Sequence, residues 1–403
     1  MTAAANCTTS ILANVRLMDG EAADIVMQSD RITGIAAGLA DTMPAATRIE
    51  GDGLLALPGL VDGHMHLDKT LTGCVWMGHR AGPERISRIE KEKELRDELP
   101  PVVERAANLV RCCIAHGTTA IRTHVDVDPD LGLSHVHALA EVREQFAGHV
   151  DIQIVAFPQS GVMRCPGTAD LLEAALSEGA DLLGGLDPIL IDDDLDGQLS
   201  ALFDIAERKG VGIDIHLHDA GAHGLAEINA VSERAGVAGM AGRVTVSHGF
   251  CLGAAADDDF ARAVDAMAKA GVSLVTHGGA SSPLPAVKAL RGRGVRVFAG
   301  NDDVRDPWSP FGNGDMLERA MLLAWRSGYR TDDDLAIAFD CASAAGAAVL
   351  NIEGHGLAVG SRADLFTVDA ETLAEAVAQR APRDLVFKAG RVVAKGGEFA
   401  DGA

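Results

Sequence analysis

LVDGHMH (60–66) begins with apolar residues and ends with two histidines two positions apart. As a short strand it points His64 and His66 to the same side, because side chains in an extended chain alternate with period two. Seven more apolar runs follow at fairly regular intervals: TTAIRTHVDV (118–127), DIQIVAFP (151–158), DLLGGLDP (181–188), VGIDIHLH (211–218), VTVSHG (244–249), VSLVTHG (272–278) and VRVFAGNDD (295–303). Amphipathic stretches lie between them. ELPPVVERAANLVRCCIAHG (98–117) and LDGQLSALFDIAERKG (195–210) both end in glycine, which tolerates the left-handed position that closes a helix. Eight strands alternating with helices predict an α/β fold, a (β/α)8 TIM barrel.

The two ends of the chain read differently. Residues 1–57 hold ILANVRLMDG, ADIVMQSDRITGIAAG and LLALPG, short strand-like runs broken by turn residues, and residues 354–403 repeat that style in GLAVGSRADLFTVD and DLVFKAGRVVAKGGEFADG. Neither end buries a core comfortably alone. The expectation is a composite β-sandwich domain of residues 1–57 and 354–403, with the barrel, residues 58–353, inserted between its halves.

Composition narrows the function. The 403 residues carry 35 Lys+Arg against 58 Asp+Glu, a formal charge of −23, which repels polyanions and argues against nucleic acid or an anionic membrane as partner. Hydrophobic residues make up 47%, normal for a globular protein with a large core. No uncharged apolar run approaches the ~18 residues of a membrane span, and MTAAANCTTS lacks the basic and apolar regions of a signal peptide. Cys7, Cys74, Cys112, Cys113, Cys165, Cys251 and Cys341 form an odd, scattered set without a CxxC, which reads as reduced thiols in a cytoplasmic protein.

Histidine and aspartate fall where barrel chemistry is built. His64 and His66 lie at the end of the first strand, His216 at the end of the fifth, His248 at the sixth and Asp302 at the eighth. In a barrel these C-terminal ends converge on one mouth, and imidazoles with one carboxylate suit a catalytic Zn²⁺ or Fe²⁺. Taken singly, each has a plainer reading. An HxH pair is more often two ordinary histidines, and a lone histidine at a strand end, such as His124, His248 or His277, is usually a buried hydrogen-bonding group. The joint placement at one end of the predicted strands favours the metal.

The phrases LPGLVDGHMHLDK (57–69), FPQSG (157–161), IDIHLHD (213–219), VSHG (246–249), GNDDVRDPW (300–308) and GLAVGSRADL (356–365) resemble the amidohydrolase superfamily over nearly the whole chain. Within it the chain is similar to the bacterial cytosine deaminase branch, which also holds the N-isopropylammelide amidohydrolases. The resemblance implies one divalent metal on His64, His66, His216 and Asp302, with His248 helping to deprotonate a water. It implies that Gln159 reads the polar edge of a ring, Asp303 faces the departing amine, and Trp308 shapes the pocket wall. The fourth strand has no lysine to be carboxylated, so a mononuclear site is expected.

Specificity signals divide. Cytosine deaminases carry a glutamate three residues after the fifth-strand histidine, where this chain has Asp219. Lys69, Asp187, His218 and PFGNGDM (310–316) look like the ammelide hydrolases, whereas Asp303 looks like cytosine deaminase. Lys69, His218 or Asp219 is expected to protonate the ring, and Phe157 and Trp308 to stack on it. Plainer roles stand beside these: Lys69 as a partner of Asp68, Gln159 as a loop residue bonded to backbone, and Asp187 as a turn before Pro188. The expected activity is hydrolysis of an exocyclic C–N bond on a pyrimidine-type ring, cytosine deaminase-like. The alternatives are an N-alkylamino-s-triazine substrate or a catalytically inactive binding protein. The expected partners are a small heterocyclic amine and further copies of the chain in a homo-oligomer.

Overall fold

A computed structural model of the chain describes residues 9–79, 82, 84–279 and 282–401; Cys7 and most of the N-terminal stretch weighed as a leader lie outside them. All eight expected strands are present: β1 (Leu60–Met65), β2 (Thr118–Asp126), β3 (Asp151–Phe157), β4 (Leu182–Leu186), β5 (Gly212–Leu217), β6 (Val244–His248), β7 (Ser273–Thr276) and β8 (Val297–Ala299). They form one eight-stranded sheet in sequential order, every neighbouring pair parallel. The sheet curls back on itself just beyond β8, where the Asp302 N–H donates to the His64 carbonyl at 2.8 Å and Asp302 bridges Met65.

Asp62 clamps this seam by accepting from the Asn301 N–H at 3.0 Å and from Asn301 Nδ2 at 2.6 Å. The approach is close enough to require glycine. A Cβ on Gly300 would lie 2.5 Å from the His64 carbonyl oxygen, and one on Gly63 would lie 2.3 Å from the Phe298 ring.

Both expected helices form, the first starting later than its stretch and the second where its stretch begins. Pro100 and Pro101 precede the helix Val102–Ala115, as befits residues without an N–H to donate. The helix Leu195–Lys209 opens on the Asp194 carboxylate, which accepts from the Gly197 N–H, and closes at Gly210 with φ +71°. α1 (Arg85–Leu95), in the long connection after β1, was not anticipated, nor was the helix Leu373–Gln379 in the C-terminal segment. No helix among the described residues is long and apolar enough to cross a membrane.

Both ends of the chain enter one nine-stranded mixed sheet. Its two parts meet where Leu55–Pro58 pairs antiparallel with Leu365–Val368. Leu12, Ile25, Met27, Leu365 and Phe387 form an apolar cluster of their own on this sheet. The six described cysteines are free thiols.

Candidate active site

The strand ends converge as period-two geometry predicts. His64 Nε2 and His66 Nε2 lie 3.2 and 3.5 Å from Asp302 Oδ1, and His216 Nε2 lies 3.4 Å from His66 Nε2. With metal–ligand bonds of about 2.1 Å, neighbouring corners of a tetrahedron are about 3.4 Å apart, so these donors already stand at ligand spacing. The three imidazoles are buried, and His64 Nε2 has no hydrogen-bond partner. An imidazole nitrogen stripped of water and left unpaired is costly, and a divalent cation satisfies it. The donor set therefore fits a metal ion.

Backbone conformation helps to aim the side chains. Asp302 and His248 have φ of +61° and +72°, a left-handed geometry that Asp and His adopt more readily than most residues. It turns the chain sharply at the ends of β8 and β6. His248 packs 5.0 Å from the His64 ring and stacks on His218 at 4.5 Å. Its Nδ1 lies 3.2 Å from His277 Nδ1. Burial and the neighbouring imidazoles hold His248 well below the usual histidine range, although Asp302 opposes them. It is a neutral imidazole beside the donor cluster.

Lys69, Phe157, Gln159, His218, Asp303 and Trp308 line one narrow cavity together with His66, His216 and Asp302. Lys69 Nζ is 3.1 Å from Asp126 and 3.5 Å from Glu92, and it lies 5.4 and 5.6 Å from the Phe157 and Trp308 ring centres. Burial disfavours its charge, but Asp126, Glu92, Asp68 and Asp303 outweigh burial and raise its pKa. Asp68 accepts instead from the Asp126 N–H and lies 2.9 Å from His135 Nδ1. The Phe157 ring lies 4.2 Å from that of His216, so one of its faces is already taken. The Gln159 carboxamide has no hydrogen bond to any described residue. Burial and Asp302 raise the Asp303 carboxyl to about 6.

Asp187 and Asp219 stand behind this wall rather than in it. Asp187 accepts from the His218 N–H at 2.6 Å and lies 2.8 Å from His218 Nδ1. Asp219 is bound by Arg85 Nη2 and accepts from the Leu190 N–H at 3.2 Å, and Arg85 also reaches Asp187 at 3.4 Å. Asp219 therefore faces α1, not the cavity.

Several residues that sequence reasoning passed over belong to the site. Arg85 and Ile89 of α1 line the cavity, and Trp308 Nε1 donates to Glu92 at 2.6 Å. His124, weighed in the sequence as a buried hydrogen-bonding group, has its ring 4.2 Å from that of His64, and neither of its nitrogens has a hydrogen-bond partner. A larger cavity, about 460 Å³, lies at the other end of the barrel against Arg31 and Arg362, far from these histidines.

Residues 49–394 match the amidohydrolase family. The chain is 33% identical over 383 residues to N-isopropylammelide isopropyl amidohydrolase of Pseudomonas sp. (strain ADP), covering 92% of this chain and 93% of that one. The crystal structure of N-isopropylammelide isopropylaminohydrolase from Burkholderia multivorans superposes with a TM-score of 0.94 at 46% identity, covering 98% of this chain and 100% of the other. That of 5-methylcytosine deaminase from Klebsiella pneumoniae, liganded with 5-fluorocytosine, superposes with a TM-score of 0.84 at 28% identity over 96% and 97% of the two chains. The chain belongs to the amidohydrolase family, and is a hydrolytic enzyme acting on C–N bonds.

Proposed function

We propose that the enzyme is a metal-dependent aminohydrolase that cleaves the exocyclic C–N bond of a carbonyl-rich nitrogen heterocycle, an N-alkylamino-oxo-triazine of the N-isopropylammelide type. The observation that carries this reading is the polarity of the cavity wall. Two cationic side chains, Lys69 and Arg85, line it with His218, while Asp219 is engaged by Arg85. Two cations suit a ring with two carbonyls, or the anion such a ring forms; a pyrimidine with one carbonyl needs fewer. Similarity to the N-isopropylammelide hydrolases supports the same choice. The second reading, a cytosine-type deaminase, is favoured by the unpaired Gln159 carboxamide and by Asp303 in the same cavity, and by the likeness to 5-methylcytosine deaminase.

One divalent ion, Zn²⁺ or Fe²⁺, held by His64, His66, His216 and Asp302 would supply a hydroxide near neutral pH by bringing the pKa of water to about 7. His248, neutral and beside Asp302, takes the proton of the attacking water. His218 keeps Nδ1 on Asp187 and gives a proton to the ring nitrogen through Nε2. Lys69 holds its proton too firmly among its carboxylates to act as an acid, so it binds a ring carbonyl as a cation. Asp303 faces the amine. The water oxygen ends on the ring carbon as a carbonyl, its remaining proton returns to His218, the C–N bond breaks, and the amine leaves carrying the proton that His248 received.

Purified, metal-assayed protein is tested for isopropylamine release from N-isopropylammelide and ammonia release from ammelide, cytosine and 5-methylcytosine. A higher kcat/KM on N-isopropylammelide than on either pyrimidine is the expected result. Faster turnover of a pyrimidine overturns the triazine reading in favour of the second. No product from any of them overturns the substrate class.

A further inference from the structure

We infer that Ser247 and Asp214, backed by Arg122, are positioning residues that fix the tautomer of His64 and so hold its Nε2 ready for a cation. The inference rests on the reading that the histidine cluster holds a divalent metal. Ser247 Oγ donates to Asp214 Oδ1 at 2.6 Å and lies 2.9 Å from His64 Nδ1. All three side chains are buried. A serine hydroxyl has one hydrogen, and a carboxylate only accepts. Once that hydrogen is on Asp214, Ser247 offers His64 a lone pair, and His64 Nδ1 must carry the ring proton. The lone pair then belongs to Nε2, the atom that stands 3.2 Å from Asp302 Oδ1 without a hydrogen-bond partner.

Arg122 keeps the carboxylate an acceptor. Its Nη1 donates to Asp214 Oδ2 at 2.9 Å, while Nε donates to Gln153 at 2.8 Å and Nη2 to the Val349 carbonyl at 3.3 Å. Arg122 lies on β2, Asp214 on β5 and Ser247 on β6, so the chain of contacts crosses the barrel interior beneath the site. Asp214 Oδ1 also lies 3.4 Å from His124 Nε2, so one carboxylate touches the support of one ring in the cluster and the edge of another. Partners of this kind set both the orientation and the basicity of a metal-binding imidazole.

Two measurements on the full-length chain test this. Zn²⁺ affinity is read by chelator competition in wild type, Ser247→Ala and Ser247→Thr. The alanine variant is expected to bind Zn²⁺ about 10- to 100-fold more weakly, and the threonine variant, which keeps the hydroxyl, to stay near wild type. Long-range ¹H–¹⁵N spectra of histidine-labelled wild type, with His64 assigned through His64→Gln, are expected to show the proton on Nδ1 both with and without Zn²⁺. This second measurement needs no folded Ser247 variant. A proton on Nε2 in the metal-free wild type overturns the inference, as does unchanged Zn²⁺ affinity in Ser247→Ala. Wild type that binds neither Zn²⁺ nor Fe²⁺ overturns the metal reading itself, a different and distinguishable failure.

Discussion

Glu227 has no exposed surface and packs against Asp219 and Asp187. Burial first, then the charge of Asp219, raises its carboxyl from 4.5 to about 9. A raised carboxyl holds its proton more tightly folded than unfolded. Its contribution to stability is therefore full below about 4.5 and is lost as pH rises through about 9. Glu227→Gln removes that dependence, so the variant gains stability relative to wild type between about pH 5 and about pH 9. Urea denaturation at both ends of that window checks it, and an equal difference at both ends refutes it. Lys69→Met acts in the opposite sense: it leaves the buried Asp126 and Glu92 with Arg96 as their remaining cation and is expected to cost about 1.5–3 kcal/mol, read in the same denaturation. The sequence showed the positions of such residues better than their partners. In DGHMH (62–66), RTHVD (122–126) and DIHLH (214–218) polar side chains recur at every second residue, so Arg122 and Asp214 lie on the same inward face as the histidines above them. That pattern was visible. It did not reveal that Ser247 bridges Asp214 to His64, because three separate strands must first come together.

At the scale of elements, the strand-helix alternation was legible and α1 was not. RISRIEKEKEL (85–95) buries only Ile89 and Glu92, too thin an apolar face for hydrophobic periodicity to declare a helix. Charges hold it instead: Arg85 joins it to Asp187 and Asp219 at the ends of β4 and β5, and Glu92 joins it to Trp308 and Lys69. A helix fastened at two points contributes Arg85 and Ile89 to the cavity wall. Arg85→Met removes one fastening. Hydrogen bonds to charged groups are worth about 1.5–3 kcal/mol, so KM is expected to rise about 10- to 100-fold, with faster amide exchange confined to α1. Unchanged exchange there would show that Arg85 does not hold the helix. The same fastening explains why Asp219 occupies a familiar position without reaching the cavity.

Over the whole molecule, the sheet built from both chain ends lies against the end of the barrel opposite the site, and Lys388 fastens the two. In sequence Lys388 is an ordinary strand lysine followed by a turn. In the structure it is 2% exposed, and its ammonium donates to the Thr119 carbonyl at 2.9 Å and to Asp151 and Asp364 at 2.8 Å each. Its burial could not be read locally, because Thr119 and Asp151 lie more than two hundred residues away in the chain. Arg383 does similar work from the same strand, donating to the His116 carbonyl at 2.8 Å and pairing with Asp315. Lys388→Met leaves Asp364 and Asp151 with Arg362 as their remaining cation and is expected to cost about 1.5–3 kcal/mol, the worth of a hydrogen bond to a charged group. Adding Asp364→Asn removes the excess negative charge and should return part of that loss. The histidine cluster sits at the far end of the strands, so kcat measured well below the melting temperature should match wild type in both variants. A fall in kcat at full folding would mean that the sheet and the barrel mouth are coupled through the strands, and that the lysine does more than hold two halves together.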